Sequence, residues 1–242
     1  MSDAKYTRSI YIEPSFCDLT GKLGTAETFA LFMDVASEHA EVTGIGTHAM
    51  GAKGLFWLTT KTKIHFNRRP EMMEIVDAST WPQEIKPARV IRDYALEKDG
   101  ELIVAGKTEW AVLEIKTGKL HNILDNVYNE NTEEYERNVL EELFTKFNAD
   151  FSNGKIIGEY VINSQDTDFG GHTNNAAYPR IFLSMYSGKE LKEMNITDME
   201  VIFKLPSYEG NKVSIYERRT GSSVELGMFN EDGKVVAFAK IN

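Results

Sequence analysis

The chain has 242 residues, 42% hydrophobic and 26% charged, which are globular proportions and exclude disorder as its main state. Its 27 Lys+Arg stand against 37 Asp+Glu, and a formal net charge of -10 argues against a nucleic-acid partner and requires a local basic patch for any acidic one. No apolar run approaches the roughly 18 residues of a membrane span, MSDAKYTRS lacks the apolar core of a signal peptide, and the single Cys17 excludes an internal disulfide and a thiolate metal site; a cytoplasmic protein away from membranes is expected.

In chain order, Lys5 to Glu13 reads as a strand, and after the break at Cys17-Asp18-Leu19-Thr20-Gly21 a helical period begins. Phe29, Phe32, Met33, Ala36 and Ala40 recur at helical spacing, which predicts one apolar stripe on a long helix with Thr25 as N-cap and Gly44 as its stop. Phe56 to Phe66, Ile75 to Trp81, Arg89 to Leu96 and Leu102 to Ile115 then read as strands, with Asp99-Gly100 and Thr117-Gly118 as turns. One helix followed by consecutive strands predicts an α+β unit, a helix packed on an antiparallel sheet.

Residues 122–155 change character and read as a linker between domains 1–121 and 156–242, with a short helical stretch near Asn138 to Phe147. After the linker come a strand at Ile156 to Ile162, a helix from about Asn175 to Ser187 with Tyr178, Ile181, Phe182 and Met185 as its stripe, and strands at Met199 to Leu205, Lys212 to Arg218, Ser223 to Phe229 and Lys234 to Ile241.

The restart is an internal repeat. Asp18-Leu19-Thr20-Gly21-Lys22 aligns with Asp168-Phe169-Gly170-Gly171-His172 at the offset of 150 that also brings Phe32 onto Phe182. Asp99-Gly100-Glu101-Leu102 likewise matches Asp232-Gly233-Lys234-Val235. Where the second copy holds His172 the first holds Lys22, so an imidazole at that position comes from the second half alone.

The run Asp166 to Asn175 gathers carboxylates, an imidazole and carboxamides just ahead of a predicted helix. A histidine beside a carboxylate is a common proton acceptor near neutral pH, and N–H groups at a helix start stabilise a developing oxyanion. An Asx-rich turn with Asn174 or Asn175 as cap is the plainer alternative. His39, His48, His65 and His121 form no metal-ligand spacing and are assigned structural or surface roles. Gly44 to Ala49 fits GxGxxA but follows a helix, where a dinucleotide site follows a strand. No phosphate loop and no GxSxG elbow is present. Lys61, Lys63, Arg68, Arg69, Arg89 and Arg92 form a basic cluster that reads equally as solvated strand faces or as a partner site.

With these residues in view, the chain resembles the acyl-acyl carrier protein thioesterases. The first half carries Asp18-Leu19-Thr20-Gly21-Lys22-Leu23, Gly54-Leu55-Phe56-Trp57-Leu58, Arg69-Pro70, Thr80-Trp81-Pro82, Ile91-Arg92-Asp93-Tyr94 and Glu109-Trp110-Ala111-Val112; the second carries Asp168 to Asn175, similar to the family motif D-x-N-x-H-x-N-N. The resemblance implies a tandem double hotdog and hydrolysis of fatty acyl-acyl carrier protein, releasing free fatty acid. It implies Asp168, His172 and Asn174 as catalytic residues, Asn174 and Asn175 as the oxyanion site and no metal or organic cofactor. The carrier is the expected partner, docking on Arg68, Arg69, Arg89 and Arg92, with the chain a monomer or homodimer. Gly170 stands where the family has asparagine, and Pro206 and Ser207 where it has glutamate and cysteine, leaving Ser207 as a possible additional polar group. The alternatives are a hotdog acyl-coenzyme A thioesterase and a noncatalytic acyl-binding or regulatory protein.

Overall fold

A computed structural model describes residues 4–128, 135 and 137–242. Strands β1 (Tyr6–Tyr11), β2 (Leu55–Phe66), β3 (Ile75–Lys86), β4 (Arg89–Lys98), β5 (Glu101–Glu114) and the short β6 (Leu120–His121) belong to the first half. Strands β7 (Lys155–Val161), β8 (Asp198–Phe203), β9 (Lys212–Thr220), β10 (Ser223–Asn230) and β11 (Val235–Ile241) belong to the second. All eleven form one antiparallel sheet in the order β1-β3-β4-β5-β2-β8-β11-β10-β9-β7, with β6 on β5. The halves join at β2 and β8, where Lys61 to His65 pair with Ile202 to Asp198.

Helices α1 (Thr25–Val42), α2 (Thr47–Ala52), α3 (Ala177–Leu183) and α4 (Gly188–Met194), with one 3-10 turn at Pro14–Phe16, complete the described elements. On α1, Phe29, Phe32, Val35 and Ala36 are buried, while Met33 and Ala40 are half-buried. The core therefore centres on the Phe32 side of the expected stripe. The N-cap is Gly24 rather than Thr25, and Gly44 ends the helix region at φ +74° as its glycine predicts. Phe32 stacks on Tyr94 at 4.6 Å. Beneath it Gly106 leaves the gap that the ring fills.

The second helix differs from expectation. Instead of one helix over about Asn175 to Ser187 there are two short ones, because Ser187 and Glu190 form a reciprocal capping box that starts α4 afresh. Tyr186, between them, is turned toward the sheet, its hydroxyl donating to Glu217 Oε2 at 2.6 Å. The expected stripe survives as buried Tyr178, Ile181 and Phe182 on α3. No helix among the described residues is long and apolar enough to cross a membrane.

The expected linker helix at Asn138 to Phe147 is absent; residues 137–151 are an irregular strap laid across the sheet face opposite α1. It takes the strands in their sheet order. The indole N–H of Trp81 on β3 donates to Arg137 O at 2.7 Å, Val139 N–H donates to Asp93 on β4 at 3.1 Å, and Lys107 on β5 donates to Leu140 O at 2.9 Å. Lys63 on β2 pairs with Glu142, and Glu200 on β8 accepts both the N–H and the hydroxyl of Thr145 at 2.7 and 2.9 Å. Phe147 stacks on Phe238 of β11 at 5.4 Å, Phe151 meets Phe229 of β10, and Arg218 on β9 donates to Asp150 O at 2.7 Å. Strap backbone groups that a helix would bond to one another are thus bonded to buried strand side chains, which is why a helical period in the sequence gave no helix. Burial pushes the Asp93 carboxyl up to about 6, raises Glu200 and lowers Lys107. Within the expected linker 122–155, Ile123 and Val127 pack with Val90, Val112 and Leu55 of the first half.

Candidate active site

The second-half motif folds as a tight turn whose backbone duplicates the first-half turn bond for bond. Asp168 N–H donates to His172 O at 2.9 Å and Gly171 N–H to Asp168 O at 3.0 Å; the counterparts run from Asp18 to Lys22 O at 2.8 Å and from Gly21 to Asp18 O at 3.0 Å. Thr167 bridges Thr173 as Cys17 bridges Leu23, and Gly171 and Gly21 take φ +75° and +73°, the left-handed region that favours glycine. The two turns differ in their side chains, and so the chemistry differs. Asp168 Oδ1 accepts Gly170 N–H at 2.8 Å, and both Asp168 and His172 are exposed at the turn. A Cβ placed on Gly170 would lie 3.1 Å from Asp168 Oδ1 and 3.4 Å from His172 Nδ1, so the two groups flank one glycine. The His172 ring also sits 5.1 Å from that of Tyr208.

Beneath the turn lies a buried hydroxyl network. Ser207, 1% exposed, shares hydrogen bonds with Thr173 Oγ1 at 2.8 Å and with Tyr178 OH at 2.9 Å, and its carbonyl accepts Thr173 N–H at 2.8 Å. Burial raises the Tyr178 hydroxyl, which keeps it protonated at neutral pH. Ser207 thus holds Thr173, the neighbour of His172, from behind. Asp166, 2% exposed, anchors the other side by accepting from Tyr160 OH at 2.9 Å, Asn163 N–H at 3.0 Å and Arg180 Nη2 at 3.3 Å.

Other expected site residues stand differently. Helix α3 begins at Ala177, so Asn174 and Asn175 precede it instead of opening it. Asn174 forms an Asx-turn, its side-chain oxygen accepting Ala176 N–H at 2.9 Å, while its own N–H donates to Asp166 O at 2.7 Å. The expected oxyanion donors at a helix start are therefore not found at Asn174, whose N–H is already bonded. The four arginines form no common patch. Arg92 is 5% exposed and donates to His39 Nδ1 at 2.9 Å and Thr80 Oγ1 at 3.3 Å; Arg69 is half-buried against Leu23 O, Thr25 Oγ1 and Ile196 O. Arg68 is paired bidentately with Glu74, and Arg89 with Glu109 at 3.2 Å. Arg68 N–H bonds Ile103 O while the β4 residue after Arg89, Val90, pairs with Trp110, so the two lie at opposite ends of β5, about 24 Å apart at the usual strand rise. Alternation placed them on strands and could not show which ends or which faces. Tyr208 gave no signal in the sequence, and Tyr178 was readable only as core.

Residues 3–131, over half of the chain, match the acyl-ACP thioesterase family through its N-terminal domain. An acyl-[acyl-carrier-protein] hydrolase of Cuphea viscosissima is 27% identical over 108 residues, and a palmitoyl-acyl carrier protein thioesterase of Cuphea hookeriana 25% over 105. These matches cover 41% and 40% of this chain but only 26% and 25% of the two chloroplastic proteins. Among solved structures, an acyl-ACP thioesterase of Bacteroides thetaiotaomicron superposes with a TM-score of 0.82 at 20% identity, covering 100% of this chain and 99% of its own. The 12:0-ACP thioesterase of Umbellularia californica superposes at 0.79 and 17% identity, covering 98% and 96%. The two structures share this fold over its whole length; the match over residues 3–131 shows more, that the chain belongs to the acyl-ACP thioesterase family.

Proposed function

We propose that this chain hydrolyses the thioester of a fatty acyl group on acyl carrier protein, releasing free fatty acid. The observation that carries the reading is the asymmetry of the duplicated turns: on one backbone, the second half alone presents a carboxylate and an imidazole together at an exposed surface, in a chain of this family. Water attacks the acyl carbon with Asp168 and His172 as base and orienting partner, and the carrier thiol leaves. Asn174 organises the turn through its Asx bond.

The tandem double hotdog belongs to the same proposal. It is supported by α1 and α3 packing together over one continuous sheet and by the matching turns. A cytoplasmic setting remains part of the reading, beside plant relatives that are chloroplastic. Incubating the protein with acyl chains of several lengths on acyl carrier protein and on coenzyme A tests it. Fatty acid release from the carrier protein, faster than from coenzyme A, supports it; faster release from coenzyme A favours the coenzyme A reading, and no turnover on either favours a noncatalytic role.

A further inference from the structure

The two halves hold their turns by the same backbone bond. Pro70 O accepts Leu23 N–H at 2.8 Å in the first half and Ser207 O accepts Thr173 N–H at 2.8 Å in the second, so Glu71 and Tyr208, one residue further on, are matching positions. Each faces the same place in its turn. Glu71 forms a β-bridge with Lys22 and pairs with its ammonium at 3.7 Å, while the Tyr208 ring lies 5.1 Å from that of His172, tilted by 45°. Lys22 and His172 thus take a side-chain partner from the same point of the repeat, by charge in the first half and by ring contact in the second.

The two groups of the site are held differently. Asp168 is fixed by a hydrogen bond, its Oδ1 accepting Gly170 N–H at 2.8 Å. The His172 ring makes no hydrogen bond to any described residue, and Pro206 brings no polar side chain to it; its partner is the Tyr208 ring. That ring is exposed, but the loop beneath it is closed. Tyr208 N–H donates to Asn211 Oδ1 and Tyr208 O accepts Asn211 N–H, both at 3.0 Å. Gly210 N–H donates to Ile162 O at 2.8 Å and Ile162 N–H to Asn211 O at 3.0 Å, with Gly210 at φ +84° making the turn.

Resting on the thioesterase reading, we infer that Tyr208 is a positioning residue whose ring selects the rotamer of His172 that reacts. In that rotamer His172 Nδ1 and Asp168 Oδ1 lie 3.4 and 3.1 Å from one point beside Gly170, so both groups address the same space. An imidazole on a surface turn otherwise divides its population among staggered rotamers. Contact between two aromatic rings favours one of them by up to about 10-fold. Hydrolysis requires the imidazole and the carboxylate to meet the acyl carbon together, so the rate follows that population.

The test compares the wild type with Tyr208→Ala, Tyr208→Phe and Glu71→Ala, by turnover of acyl carrier protein substrates and by the proton NMR signal of the His172 ring, identified through its loss in His172→Ala. Tyr208→Ala should lower kcat about 10-fold, with KM changed less than about threefold, and should shift the His172 signal as the ring current of its neighbour is lost. Tyr208→Phe keeps the ring and should retain both the rate and the signal, while Glu71→Ala, the matching change in the first half, should leave both as in the wild type. A lower melting temperature in Tyr208→Ala with kcat of the folded fraction unchanged would mark a structural role and overturn the inference. An unmoved His172 signal in Tyr208→Ala, or a Tyr208→Phe enzyme as slow as Tyr208→Ala, overturns it as well, and all three results leave the thioesterase reading intact. A wild type inactive on every acyl carrier protein substrate overturns that reading, and the inference with it.

Discussion

Gly106 and Phe32 offer a direct test of how the first helix seats on the sheet. Gly106 lies on β5 between Ile64 on β2 and Tyr94 on β4, and the Phe32 ring comes down over it while stacking on Tyr94 at 4.6 Å. A Cβ at Gly106 would overlap that ring, with Cδ2 at 2.9 Å, Cζ at 3.2 Å and Cε2 nearer still. Gly106→Ala should therefore cost about 1–3 kcal/mol from overpacking. The alanine's restriction of the unfolded chain returns about 0.4–1 kcal/mol. Phe32→Ala should cost about 3–5 kcal/mol through lost burial and the cavity left behind. In the double variant the added methyl enters space the ring has vacated, so Gly106→Ala should be neutral or mildly stabilising there. The coupling, read from urea denaturation of all four proteins, should reach about 1–3 kcal/mol. Additivity within about 0.5 kcal/mol would refute the seating of α1 described above.

Further outcomes follow from the strap, the hydroxyl network and the second helix. The folded Asp93 carboxyl, at about 6, lies above its ordinary 3.8, so its charge costs the fold about 3 kcal/mol at neutral pH, a cost absent below about pH 4, growing between about pH 4 and 6 and level above. Asp93→Asn should accordingly gain stability on the wild type as pH goes from about 4 to about 6.5 and keep that gain above, and a pH-independent difference in denaturation midpoint would contradict this. Ser207→Ala leaves the buried Thr173 and Tyr178 hydroxyls short of a partner and should lower stability by about 1–3 kcal/mol in thermal or urea unfolding, whereas an exposed catalytic hydroxyl would leave it unchanged. Phe182→Ala on α3 should cost about 3–5 kcal/mol, and an unchanged melting temperature would show that α3 packs elsewhere.

Periodicity made the sheet legible, because β-branched and aromatic runs bounded by Asp-Gly and Thr-Gly turns leave few other choices, and all ten expected strands are found, β3 running past Trp81 to Lys86. The repeat was legible for a related reason: the turn needs glycine at positive φ in both copies, so Gly21 and Gly171 keep the register visible. Tertiary partners hid the rest. The strap has a helix-like composition, but Asp93, Lys107 and Glu200 from distant strands take its backbone groups. The split of the second helix is set by Ser187 and Glu190, a capping signal overshadowed by the apolar stripe. The arginine patch failed because proximity in sequence says nothing about which end of a strand a residue occupies or whether it is buried, as Arg92 is. At the site, Asp168 and His172 stood out as types of residue. The places of Ser207 beneath the turn and of Tyr208 beside His172 depend on distances that no spacing encodes.

The most direct measurement compares kcat/KM on acyl carrier protein substrates for His172→Ala and Lys22→Ala, the same position in two turns of one backbone. Loss of the positioned imidazole should cost about 100-fold to 10,000-fold, with the fold intact, while Lys22→Ala should remain within about twofold of the wild type. Equal losses in both variants, or none in His172→Ala, would contradict the assignment of the chemistry to the second-half turn.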